Sequence, residues 1–430
     1  FLLLMLFINP LRFGVHSFFL LLPLLGMTVL ISYYVIHFPV RLILNKLDLA
    51  LIFLLLWSIY PVFFSIVNVG IEHTFKGFRN YVLPILTYFL VRYLLQLGGD
   101  IALKKIIKFM VIALFFVLIY NLYLTVNITF LRHDFPQWFL NMDRMENFLG
   151  WGFRSPGIYG DPHASGLISV MAGIFILINI NHISIVKRKI FKDIIKVIIV
   201  IGIILSTSRI ALVFGLILFS VYVLYATDIK YKIKGLLIVL AIYLLATNLI
   251  SIGFDGRERT YINKFFLWWK DPVEIENAFR FVVLDGFKFL KLMHDQFTLS
   301  LVTGVGFHSN KDHYNVLEYF RTNDQAWINS LQMFGLIGYM IFAYIVWFVI
   351  KLLIKVKKYH KDFLTLASSC VVIVMLGLLS NLHSDILKTH GIIQIFYTCV
   401  AIISYIHDSM RVKIKQYNLS WRDAYETYNI

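Results

Sequence analysis

The chain has 430 residues, a formal charge of +16, 59% hydrophobic and 17% aromatic content, and only 15% charged residues. That length would hold two or three soluble domains, but the composition excludes them: apolar runs of about 20 residues, long enough to cross a hydrocarbon core roughly 30 Å thick, recur through nearly the whole sequence. The positive charge does not indicate a nucleic-acid partner, because the Lys and Arg residues mostly occupy short connectors between apolar runs, where they orient helices against an anionic inner leaflet.

In chain order, the apolar runs predict about 12 spans, near 1–9 (partial), 14–36, 48–68, 76–96, 106–126, 161–181, 191–207, 209–227, 235–253, 329–353, 362–382 and 389–407. The opening FLLLMLFINP has no basic start and no small-residue cleavage site, so no cleavable signal peptide is expected, and the start at Phe1 leaves the first span partial. Alternate connectors are basic: Arg41 and Lys46; Lys104, Lys105 and Lys108; Lys187, Arg188, Lys189 and Lys192; Lys230, Lys232 and Lys234; Lys351, Lys355, Lys357, Lys358 and Lys361; and the tail with Arg411, Lys413 and Lys415. The positive-inside rule puts these on the cytoplasmic side and the two long connectors, 127–160 and 254–328, outside.

The expected fold is all-α: one polytopic membrane domain over 1–430, with 254–328 as a large helical extracytoplasmic loop and 127–160 as a smaller one. Within the larger loop, YINKFFLWWKDPVEIENAFRFVVLDGFKFLKLMHD spaces apolar residues as amphipathic helices lying on the membrane do, and Asp271 before Pro272 reads as a helix start. Cys370 and Cys399 both lie inside apolar runs, which supports neither a disulfide framework nor a thiolate metal site.

Polar residues gather at the outer ends of the spans. Arg154, Asp161 and His163 precede one span in GWGFRSPGIYGDPHASGLISV; Asp161 reads as a cap with Pro162 in the first turn, and Arg154 as a candidate anion contact. Arg209 follows Ser206, Thr207 and Ser208 between two apolar runs, and either snorkels to lipid phosphate or grips a substrate phosphate with its planar fork. Arg257 and Arg259 read as a solvated loop, whereas Arg280 opens an apolar-periodic segment that would hold it against the bundle. GVGFHSNKDHYNVLEYFRTNDQAWINSLQMFGLIGY crowds His308, Asp312, His313, Glu318, Arg321 and Asp324 beside a membrane-grade run, a costly place for charge. His308 and His313 also read as ordinary loop histidines, and their spacing matches no metal motif, so neither a metal nor another cofactor is expected. Trp268, Trp269 and Trp327 suit either interface anchoring or stacking on sugar faces.

The order of four features, STSRIAL between two spans, AFRFVVLDGF in a large outer loop, GVG, and a polar pair ahead of GLIGY, resembles the O-antigen ligase and polymerase superfamily over about residues 150–350. Ligases of that superfamily carry a His, then Asn, Ser or Gln, then nine residues, then Gly-x-x-Gly. Here Asp324 and Gln325 precede nine residues and then Gly335 and Gly338, so Asp324 stands where the ligases have their presumed base, and the resemblance tilts to the polymerases.

It implies a GT-C-like, inverting, metal-independent glycosyltransferase in the inner membrane of a bacterium, with its active site on the periplasmic side. The substrate would be an oligosaccharide on undecaprenyl pyrophosphate, built into O-antigen or a related surface polysaccharide, with a chain-length regulator as a further partner. Arg209 and Arg280 match the family's pyrophosphate-binding arginines. Asp324 would be the base, with Arg154, His308, His313, Glu318 and Arg321 as substrate-binding candidates. A ligase acting on lipid A core and a transporter or flippase are the alternatives.

Overall fold

The structure is a computed structural model of the chain and describes residues 44–126, 162–179, 189–206, 298–304, 326–359, 361–380 and 392–427, with a few isolated positions elsewhere, Gly306 among them. These residues form helices and no strand. Helix α1 is Lys46–Trp57, α2 Ile59–Val69, α3 Ile71–Tyr81, α4 Ile85–Val126 and α5 Pro162–Asn179. They are followed by α6 Lys189–Ser206, α7 Thr298–Thr303, α8 Ala326–Tyr359, α9 Lys361–Ser380 and α10 Ile392–Thr427.

Local chemistry sets the helix limits. Asn45 caps α1: its side-chain oxygen accepts from the backbone N–H groups of Leu47 (2.8 Å) and Asp48 (3.0 Å), while Asp48 accepts from the Asn45 N–H (2.7 Å). Ser58 keeps a helical conformation between α1 and α2, so Lys46–Val67 forms one apolar stretch of 22 residues, and Pro61 falls in the first turn of α2, where its missing N–H is least costly. Gly70 (φ 84°) separates α2 from α3. The expected span at 76–96 is divided between the end of α3, a turn at Val82–Pro84 and the start of α4.

Helix α4 has 42 residues, about 63 Å if straight, twice a hydrocarbon core. It is broken at Gly99 (φ 56°, ψ −141°), so the expected basic connector after residue 96 is a single non-helical glycine flanked by helix. Helix α5 starts at Pro162, where the sequence places a helix start, and α6 is described as far as Ser206.

Among the described residues, three helical stretches are long and apolar enough to cross a membrane: Lys46–Val67, Met333–Leu352 and Ile392–Ser409. Together with the shorter apolar helices Ala164–Asn179 and Leu366–Leu378, they make this a helical protein of membrane character. The packing is layered. Helix α5 and the first half of α10 are buried almost throughout, α5 among α4, α6 and α9, and α10 among α4, α8 and α9. Large apolar side chains such as Leu56, Phe63, Val67, Ile101, Met340 and Ile354 lie exposed on α1, α2, α4 and α8, as lipid-facing positions require.

Between apolar helices in lipid, close approach and polar contacts supply the specificity. A Cβ on Gly173 would strike Ile199 of α6, and one on Gly202 would lie 2.6 Å from Ser169 Oγ. Asn121 Nδ2 donates to Ser165 O (3.2 Å) and Ser169 Oγ (3.1 Å), and Asn179 Nδ2 to Ser369 Oγ (2.9 Å), which tie α4 to α5 and α5 to α9. Cys370 on α9 and Cys399 on α10 are buried free thiols.

Candidate functional site

Two polar or backbone-rich constellations stand out, one at each end of the described bundle. The first is a junction of three glycines. Gly304 (φ 79°), Gly306 (φ 93°) and Gly335 (φ 63°) all adopt left-handed φ values that side chains disfavour. Gly335 breaks α8 at its ninth peptide from the start, and the chain leaving α7 packs directly on that break.

The approach is backbone to backbone: a Cβ on Gly304 would lie 2.6 Å from the Met333 carbonyl carbon and 2.8 Å from Gly335 N. A Cβ on Gly335 would strike the Val302 carbonyl, and one on Gly306 would strike Ser65 Oγ and lie 2.8 Å from Pro61 O. A broken helix leaves carbonyls without intrahelical partners. At this break Phe334 O accepts from Trp57 Nε1 (3.2 Å), which joins α1 to it. Gly306 and the Gly335 break thus lie at one junction, and α8 begins at Ala326, nine residues before the break.

The second constellation is ionic. Arg92 of α4 is buried and paired with two carboxylates, Asp48 of α1 (Nε to Oδ1, 3.4 Å) and Asp408 of α10 (through Nη2). Tyr88, one turn before Arg92, donates to Asp48 and is hydrogen-bonded to Ser404 Oγ (3.0 Å). Asn45 Nδ2 reaches Ser404 Oγ (2.7 Å) and Asp408 Oδ2 (3.1 Å). His407 Nδ1 lies 3.2 Å from Asp408 Oδ1, and its ring packs 5.0 Å from that of Phe348 on α8. Arg92 Nη1 is buried with no hydrogen-bond partner among the described residues. Among the described residues, no three His, Cys, Asp or Glu side chains are grouped so as to hold a metal ion.

The sequence-derived site residues Asp324, Arg280, Arg209, Arg154, His308, His313, Glu318 and Arg321 lie outside the described residues. What the structure does bring together are the glycines of GVG and GLIGY, which in the sequence flank His308, His313, Glu318, Arg321 and Asp324. The ionic cluster is missing from the sequence reading. Its signal is faint: Asp48 and Arg92 are lone charges near the ends of apolar runs, and Arg92 and Asp408 are 316 residues apart. A scan against protein-family models finds no match, and a search of curated proteins finds no relative of significant similarity.

Proposed function

We propose that this chain is a bacterial inner-membrane polymerase that joins oligosaccharide repeat units carried on undecaprenyl pyrophosphate into O-antigen or a related surface polysaccharide. In this reading it has about 12 spans, and its large loop, 254–328, is periplasmic. The observation that supports it most is the contact between Gly304–Gly306 and the Gly335 break, because it joins two of the sequence features on which the resemblance rests.

The chemistry follows from residue types. Negative charge builds on the pyrophosphate as its bond to the anomeric carbon breaks, and Arg209 and Arg280, directed there, stabilise that charge. Asp324 takes the proton of the attacking sugar hydroxyl, with Glu318 or His313 as substitutes. Arg154, Arg321 and His308 contact the donor headgroup or the acceptor sugars. The bilayer holds the polyprenyl tail, and a chain-length regulator is a further partner.

A second reading, a transporter or flippase, draws on the buried Asp48–Arg92–Asp408 cluster, since ionisable groups inside a bundle mark transport pathways. The cluster lies at the ends of its apolar stretches, however, whereas transporters bind near the midplane.

The test is direct. Purified protein is given undecaprenyl pyrophosphate-linked repeat units, and products are resolved on a gel beside Arg280→Ala and Asp324→Ala. A ladder of lengthening chains, lost in both variants, is the expected result. A ladder that persists in Asp324→Ala removes the proposed base. Transfer only on addition of lipid A core makes the protein a ligase, and no product in either case leaves the transporter reading.

A further inference from the structure

The ionic cluster and the glycine junction share two rigid connections. The first is the nearly continuous α1–α2 stretch. At one end Asn45 and Asp48 enter the cluster; at the other Trp57 donates to Phe334 O, and Pro61 and Ser65 meet Gly306. The second is α8, whose break at Gly335 lies in the junction and whose Phe348 packs against His407 of the cluster.

Asp48 to Pro61 and Gly335 to Phe348 are both 13-residue separations, each about 20 Å of helix. The two connections are therefore matched in length and fixed to both sites. Their ends differ in character. At the junction, backbone atoms interlock with no room for a Cβ, so a small axial shift of α1–α2 against α8 cannot be absorbed there. At the cluster, α1 is held instead by side-chain hydrogen bonds and a 3.4 Å ion pair to a guanidinium whose Nη1 has no hydrogen-bond partner among the described residues.

We propose that the cluster and the junction are energetically coupled across the bundle: loosening α1 at Asp48 releases the Gly304–Gly306–Gly335 junction about 20 Å away. The coupling holds whatever reaction the site performs. It makes Asn45, Asp48 and Trp57 positioning residues for the junction.

The experiment is hydrogen–deuterium exchange on the full chain in detergent micelles, comparing wild type with Asp48→Asn, which removes one charge from the cluster and nothing from the junction. The expected result is at least several-fold faster exchange of the amides at 302–304 and 334–338, with α5 unchanged. Faster exchange confined to the first turns of α1 and to its neighbours in α4 and α10 overturns the coupling, as does an unchanged pattern. If Asp48→Asn does not fold, Asn45→Ala loosens the same end more gently and is read in the same way. Trp57→Phe, which removes only the indole donor, supplies the second arm. The Asp48→Asn and Trp57→Phe shifts in unfolding midpoint fail to add if the sites are coupled, whereas those of Asp48→Asn and Ser169→Ala add. Additive shifts in the first pair contradict the proposal.

Discussion

Arg92 is enclosed by protein at the end of an apolar helix, with a carboxylate from α1 on one side and one from α10 on the other. Removing it leaves the buried Asp48 and the partly buried Asp408 without their counter-charge, and breaking a buried pair in this way costs about 3–5 kcal/mol. Arg92→Met is therefore expected to lower the unfolding midpoint sharply in detergent. Asp408→Asn, which leaves one carboxylate to one guanidinium, is expected to cost much less, and thermal denaturation of the two variants checks the order. This residue-scale chemistry was not legible in the sequence. Asp48, Arg92 and Asp408 fall at or near the ends of three separate apolar runs, and only the packing of α1, α4 and α10 reveals that they share a site. The Asn45 capping box, by contrast, is a local pattern set by neighbouring residues.

At the scale of elements, the glycines sort by surroundings. Gly335→Ala combines a disfavoured φ with a clash against the Val302 carbonyl, and is expected to cost about 3 kcal/mol or more. Gly70→Ala meets nothing within 4 Å and carries only backbone strain, about 1–2 kcal/mol. Unfolding midpoints that placed Gly70→Ala below Gly335→Ala would contradict the junction geometry. Helix positions were largely readable because apolar length is a local property: the runs at 161–181, 191–207 and 362–382 appear as α5, α6 and α9 within a few residues. Breaks were less readable. Gly99 and Gly335 interrupt helices that propensity alone would continue or loop out, and the contact of Gly304 with Gly335 depends on two distant chain segments.

On the scale of the whole molecule, the expected topology places the lysines near Gly99 on one side of the membrane and the 307–325 segment on the other. Lys104→Cys is exposed on α4 and is expected to react with a membrane-impermeant maleimide only in inverted vesicles, while Asn310→Cys reacts only in intact spheroplasts. Labelling of both from the same side would remove the two-sided arrangement, and with it the periplasmic site. The native thiols at 370 and 399 are buried and do not compete for the reagent.

The order in which the bundle is synthesised has a consequence of its own. Helix α10, which fills the centre and supplies Ser404 and Asp408 to the ionic cluster, is the last of the described helices to leave the ribosome. Until then, α4 and α9 present to lipid or to one another the surfaces that α10 later covers, and Arg92 has only Asp48 as its ionic partner. The nascent protein must therefore wait, inserted but unfinished, for its final helix. A chain terminated before residue 392 would remain in that state and be a natural substrate for membrane quality-control proteases, even though every residue of the glycine junction is already present in it.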